Sequence, residues 1–203
     1  MNHKILIIDY GLGNHQSVAS ALDFLGYSYI VSNKKNDFES SDFLILPGVG
    51  AFYAGMENLK KLDIIELMEN EVIKKKKPIL GICLGMQLFA IDSTEDGIHQ
   101  GLGWIKGHVL KIKGGNSHKI PHVGWNNLKI YKKEPLFNKE LNSANFYFDH
   151  SYHILCDKNI LSASVDYGEE ITAAIQYENI FGVQFHPEKS QNNGLKLFRS
   201  ILG

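Results

Sequence analysis

Over 203 residues, a hydrophobic content of 44% supplies enough apolar surface for one or two packed domains, and a formal charge of -1 leaves no concentrated basic face for nucleic acid or an anionic membrane. Two cysteines do not make a disulfide framework, and no apolar run approaches the roughly 20 residues that span a bilayer. The opening Met1-Asn-His-Lys-Ile-Leu-Ile-Ile-Asp9 reads as a strand and not as a signal peptide, so the expectation is a cytoplasmic protein made of a single domain over residues 1–203.

Short apolar runs alternate with amphipathic stretches through the first half, which predicts an α/β fold: an open, mostly parallel sheet flanked by helices. Ile5 to Ile8 reads as a strand, Gly13 to Leu25 as a helix stopped at Gly26, and Tyr27 to Val31 and Phe43 to Leu46 as strands. Pro47-Gly-Val-Gly50 is a loop, and a helical pattern follows over Glu57 to Lys76. Its basic end, Lys74 to Lys77, is expected in solvent at the negative end of the helix dipole. Ile79 to Ile82 is the next strand. Loops at the carboxyl ends of such strands line the ligand crevice, so Gly11-Leu-Gly13, Pro47-Gly-Val-Gly50 and Cys83 should face one site. The glycines after the first strand lack the third glycine of a dinucleotide loop, and no cofactor is expected there.

The second half is richer in strands, over Val109 to Ile112, Asn145 to Asp149, Ile160 to Val165, Ile171 to Gln176 and Ile180 to Gln184, and closes on a helix, Gly194 to Leu202. Cys156 has no flanking glycines and reads as a packing residue. His150 and His153 are three apart on strand and loop, so no metal site is expected.

Two segments carry chemistry. Pro78-Ile-Leu-Gly-Ile-Cys83-Leu-Gly-Met-Gln87 puts glycine two positions before and two after a cysteine, the steric requirement of a nucleophile on a sharp strand-to-helix turn. A buried packing cysteine after an ordinary strand would share much of this sequence. Gly182-Val-Gln-Phe-His186-Pro-Glu188 decides between them: on extended chain, positions 186 and 188 share a face, so the carboxylate can orient an imidazole that serves as base to the thiol.

Together the two segments resemble the class I glutamine amidotransferases, in which a Cys-His-Glu triad hydrolyses glutamine to glutamate and ammonia. The resemblance extends over essentially the whole chain through Asp9-Tyr-Gly-Leu-Gly-Asn14, Leu46-Pro-Gly-Val-Gly-Ala-Phe52, Gly101-Leu-Gly-Trp104, Pro121-His-Val-Gly-Trp-Asn126 and Tyr147-Phe-Asp-His-Ser-Tyr152. It implies Cys83 as nucleophile, His186 as base and acid, and Glu188 as orienter. It implies an oxyanion hole from Leu84 and the Val49-Gly50 peptide, and glutamine contacts from Gln87, Glu95, Ser151 and Tyr152. It further implies a (β/α)8 cyclase partner in a heterodimer serving histidine biosynthesis, met by Trp125, Asn126, Tyr147 and Lys189. Asp149, where an apolar residue is usual, and His15-Gln16, where an apolar then a basic residue is usual, depart from the pattern. They leave the glutaminase expectation untouched and bear on the partner, so that a glutaminase feeding amidination of a surface sugar is the alternative; a non-catalytic subunit that only binds glutamine is a further alternative, against which the intact Cys83, His186 and Glu188 set argues.

Overall fold

Four consecutive apolar residues, Ile5–Ile8, form the first strand (β1) because both of its faces are covered: Ile5 and Ile7 pack into one core, Leu6 and Ile8 into another. The computed structural model describes residues 4–114, 118–141 and 144–203. The other strands are β2 (Tyr29–Ser32), β3 (Phe43–Gly48), β4 (Ile79–Cys83), β5 (Asp92–Ser93), β6 (His99–Gln100), β7 (Gly107–Lys111), β8 (His122–Asn127), β9 (Lys129–Ile130), β10 (Asn145–His150), β11 (Tyr152–Cys156), β12 (Leu161–Asp166), β13 (Glu170–Tyr177) and β14 (Ile180–Val183). The helices are α1 (His15–Leu25), α2 (Lys35–Ser40), α3 (Phe52–Lys61), α4 (Ile65–Glu69), α5 (Leu84–Gln87) and α6 (Gln191–Leu202).

The main sheet runs β2-β1-β3-β4-β14-β13-β12-β9. Neighbours from β2 to β14 are parallel, while β13, β12 and β9 extend the sheet antiparallel. The change of direction follows from the connections. Glu178-Asn179, with Glu178 at φ 51, is too short to join anything but antiparallel strands. The sheet is therefore mixed, parallel where the helices cross it and antiparallel where hairpins do. A second sheet, β11-β7-β5-β6, and the pair β10-β8 stand beside it.

The helix after β1 starts at His15, where the Asn14 side chain accepts from Ser17 N–H at 3.4 Å, and stops at Gly26 in the left-handed region. The helical pattern expected over Glu57 to Lys76 begins earlier, at Phe52, and is interrupted at Asp63, which turns the chain at φ 54 before α4 and a π-helical turn, Asn70–Lys74. The lysines that end it are not simply solvated. Glu71 is fully buried, and Lys75 and Lys77 meet its two carboxylate oxygens at 2.6 and 2.8 Å, because a buried carboxylate is costly unless paired. The terminal helix starts at Gln191, three residues earlier than expected. β8 and β11 had no counterpart in the sequence expectation, since glycine and histidine break the apolar alternation of the first and a serine turn hides the start of the second.

Candidate active site

β14 lies parallel to β4 with Val183 level with Ile82, so the last residue of β4 meets the segment that follows β14. Cys83 ends β4 at φ 54, ψ -112, a conformation that costs a side-chain-bearing residue on the order of 1–3 kcal/mol and persists only where its surroundings impose it. The flanking glycines let them do so. A Cβ on Gly85 would stand 1.8 Å from the Leu46 carbonyl oxygen, and one on Gly81 2.7 Å from the backbone of Met86. Only bare α-carbons at both positions allow α5 to fold back onto β3 and β4. Because α5 is a single turn, what it offers an anion is the unpaired N–H groups of that turn and little macrodipole.

His186 is anchored by its own N–H to Tyr147 O at 2.9 Å, and its carbonyl accepts from Ser190 Oγ at 2.6 Å. Its Nδ1 lies 2.8 Å from Glu188 Oε1, with both side chains buried. Cys83 lines the same cleft as His186 and acts on its imidazole electrostatically. Burial alone would lower its pKa, but the Cys83 and Glu188 contacts outweigh burial and push it up to about 10. Glu188 reaches the ring differently from the expected alternation on an extended segment: Pro187–Lys189 is a 3-10 turn, started by a proline and pressed against α6, where a Cβ on Gly194 would stand 1.7 Å from Pro187 O.

A cleft of about 320 Å³ opens on this row, lined by Cys83, His186, Val49, Gly50, Leu84, Gln87, Glu95, Ser151 and Tyr152, with Pro121, Asp149 and His150 completing it. Every residue expected to form the oxyanion hole or to touch substrate is therefore at the cleft. Gln87 Nε2 donates to Tyr152 O at 2.9 Å and Gln184 Oε1 at 3.0 Å, which leaves its carbonyl oxygen to meet a ligand. Glu95 Oε2 accepts from Phe52 N–H at 2.6 Å. Burial, then Glu95 and Asp96, raise the pKa of Tyr152.

Sequence reasoning missed Gln184, a fully buried side chain whose Nε2 is 3.6 Å from Cys83 Sγ. Its signal was available, since two residues before His186 on extended chain is the same face. His150 was also missed as a wall residue. Its Nδ1 meets Tyr152 O at 2.8 Å and its Nε2 meets His122 Nδ1 at 3.0 Å. Burial drives the pKa of His122 down to about 4 and that of His150 to about 3, so both rings are neutral near pH 7. Among the described residues, no group of three or more histidine, cysteine, aspartate or glutamate side chains has the arrangement of a metal site.

The expected partner residues lie outside the cleft. Trp125 and Tyr147 pair across β8 and β10 and meet edge-on at 6.2 Å, and the Lys189 ammonium stands 5.7 Å from the Tyr147 ring. Trp125 is 44% exposed. Asn126 alternates to the other face of β8, opposite buried Phe146, and donates to Asp166 O at 3.4 Å, so it is not brought into the aromatic patch. Cys156 is partly buried against the apolar core, and burial pushes its thiol up to about 11.

Residues 6–201 match the family model for class-I glutamine amidotransferase. The chain is 48% identical over 200 residues, 98% of its length and 94% of the relative's, to imidazole glycerol phosphate synthase subunit HisH 2 of Vibrio vulnificus. It is 46% identical over 197 residues, 97% of its length and 98% of the relative's, to subunit HisH 1 of Campylobacter jejuni. Among solved structures it is similar in fold to a chain of PurLQS from Thermotoga maritima, with TM-score 0.74 and 20% identity over all of this chain and 98% of that one.

Proposed function

The chain belongs to the class I glutamine amidotransferases, and from that membership we propose that it is the glutaminase subunit of imidazole glycerol phosphate synthase, with Cys83, His186 and Glu188 as its triad. The observation that carries the reading is the row itself: a cysteine held at positive φ shares the cleft with a buried imidazole that is hydrogen-bonded to a buried carboxylate. Cys83 Sγ attacks the side-chain carbonyl carbon of glutamine, and the oxyanion is received by the N–H groups of Leu84 and Gly50. His186 passes its proton to the leaving nitrogen as the C–N bond breaks, which frees ammonia and leaves a glutamyl thioester. Water then attacks the thioester, His186 takes the water's proton, the C–S bond breaks and glutamate departs. Glu188 keeps Nε2 of His186 aimed at the sulfur throughout.

The relatives are named as subunits, and the group of exposed Trp125 and Lys189 around half-buried Tyr147 supports docking of a (β/α)8 cyclase in a cytoplasmic heterodimer that makes imidazole glycerol phosphate and aminoimidazole carboxamide ribotide. No helix among the described residues is long and apolar enough to cross a membrane. Glutaminase turnover measured for the chain alone, with the cyclase, and with the cyclase and its acceptor ligand tests the reading. Ammonia release should be slow alone and rise roughly 10²–10³-fold in the loaded complex, the worth of one oxyanion donor supplied by the Val49-Gly50 peptide. Equal turnover in all three states would remove that gating. Absence of ammonia release in all three would favour a subunit that only binds glutamine. One observation favours the second reading, ammonia supply to amidination of a surface sugar: Asp149 puts a carboxylate where the cleft opens. Consumption of the sugar acceptor, and not of the cyclase's, would establish it.

A further inference from the structure

Glu95 does two things at once. It lines the cleft beside Gln87, Ser151 and Tyr152, and its Oε2 accepts from the Phe52 N–H at 2.6 Å. Phe52 opens α3, whose N-cap residue is Ala51, a side chain that cannot cap. The carboxylate thus satisfies a helix N-terminal N–H from 43 residues away along the chain, in a charge-assisted bond that a main-chain dipole of ten helical residues strengthens. The acid is itself held still: its own N–H donates to the buried Ser93 Oγ at 3.1 Å, and Thr94 N–H to Val109 O at 3.0 Å. Glu95 Oε1 has no hydrogen-bond partner among the described residues.

Between these fixed points hangs the Val49-Gly50 peptide. Its entry is pinned where Gly48 pairs with Cys83 at the end of β3, and its exit is pinned where Glu95 holds Phe52, two residues beyond Gly50. Gly50, at φ 108, gives the intervening peptide the freedom to turn. We propose that Glu95 is a positioning residue that couples substrate recognition to the oxyanion loop: Oε1 takes the α-ammonium of bound glutamine while Oε2 holds Phe52, so a filled ammonium pocket tightens an anchor at the loop exit that is already formed. The inference rests on the glutaminase reading above. It makes the α-ammonium a determinant of turnover as well as of affinity.

The test compares Glu95→Gln and Glu95→Ala in the full chain with its cyclase partner, assayed with glutamine and with glutaramate, which has the same amide and no α-amino group. The Glu95→Gln variant keeps an oxygen for Phe52 and loses the charge, so KM for glutamine should rise roughly 10–100-fold with kcat within about threefold of wild type. The Glu95→Ala variant loses both, so kcat should fall a further roughly 10–100-fold. On the Cys83→Ala chain, which binds glutamine without consuming it, hydrogen exchange at the Phe52 amide should slow with glutamine and not with glutaramate. Equal kcat for the two Glu95 variants, or equal Phe52 protection by the two ligands, would overturn the coupling while the wild-type glutaminase stands. A wild-type complex that releases no ammonia would instead overturn the reading on which it rests.

Discussion

His186 and His150 wall the same cleft and are almost equally buried, at 2% and 6% exposure, yet their rings are driven to opposite charge states. Burial pushes both toward neutrality. His186 resists it because its two nitrogens face a thiol and a carboxylate, and its pKa goes up to about 10. His150 does not, because its nitrogens face a carbonyl oxygen and another imidazole, and its pKa goes down to about 3. Burial fixes how much a charge costs, and the partner decides whether the charge is present. One histidine thereby carries its proton near neutral pH, and the other stays neutral while it holds the Ser151-Tyr152 wall.

The largest expected effect breaks the first half of this contrast. Cys83→Ala should lower glutamine turnover by at least about 10³ and leave ammonia-dependent synthesis by the complex intact. With one partner gone, the His186 ring should titrate below 10 when followed by NMR. An unshifted titration would mean that Cys83 does not support the imidazolium. Glu188→Gln should cost less, roughly 10–10³ in turnover, because the orienter of a triad is its least indispensable member, and it too should lower the His186 titration. Full activity in that variant would remove Glu188 from the row.

The smallest effect sharpens the second half. An unfolded chain takes up protons at positions 122 and 150 near pH 6.5, whereas the folded rings refuse them until about 4 and about 3. Stability should therefore be intact above pH 6.5 and fall as pH drops toward 4, by on the order of 3 kcal/mol for a fully buried ring. His186 acts in the opposite sense: its contribution is intact below pH 6.5 and lost as pH rises through about 10. Urea midpoints measured across pH read both limbs, and His150→Phe should flatten the acid one. An acid limb unchanged by that substitution would show that other groups carry it.

The contrast also marks what a sequence makes legible. Cys83 was readable because its demands are local, written in glycines two residues away on either side. His186 and Glu188 were readable as a pair for the same reason, although the proline between them was not recognised as starting a 3-10 turn. The parallel half of the sheet announced itself through apolar runs such as Ile5–Ile8, which only strands covered on both faces need. What stayed hidden depends on tertiary packing. His150 becomes a wall residue through His122, 28 residues away, and Glu71 captures two lysines only because packing buries it. Gln184 sits between: its spacing from His186 was visible, but that a side-chain amide would bridge Cys83 and Gln87 was not.

Tyr147 faces outward with its ring and toward His186 with its backbone. Its ring lies between Trp125 and Lys189, while its main-chain oxygen accepts from the His186 N–H at 2.9 Å and its own N–H donates to Ser190 Oγ at 3.0 Å. Since Ser190 Oγ also donates to His186 O, the hydroxyl ties the strand edge to the carbonyl end of the histidine's peptide frame, while Tyr147 O itself holds the N–H end. A lever arm this short has no slack. If a ligand on the aromatic patch shifts this backbone, then by the reciprocity of linked equilibria a modification that clamps His186 in one pose changes how tightly the patch is bound by the same factor.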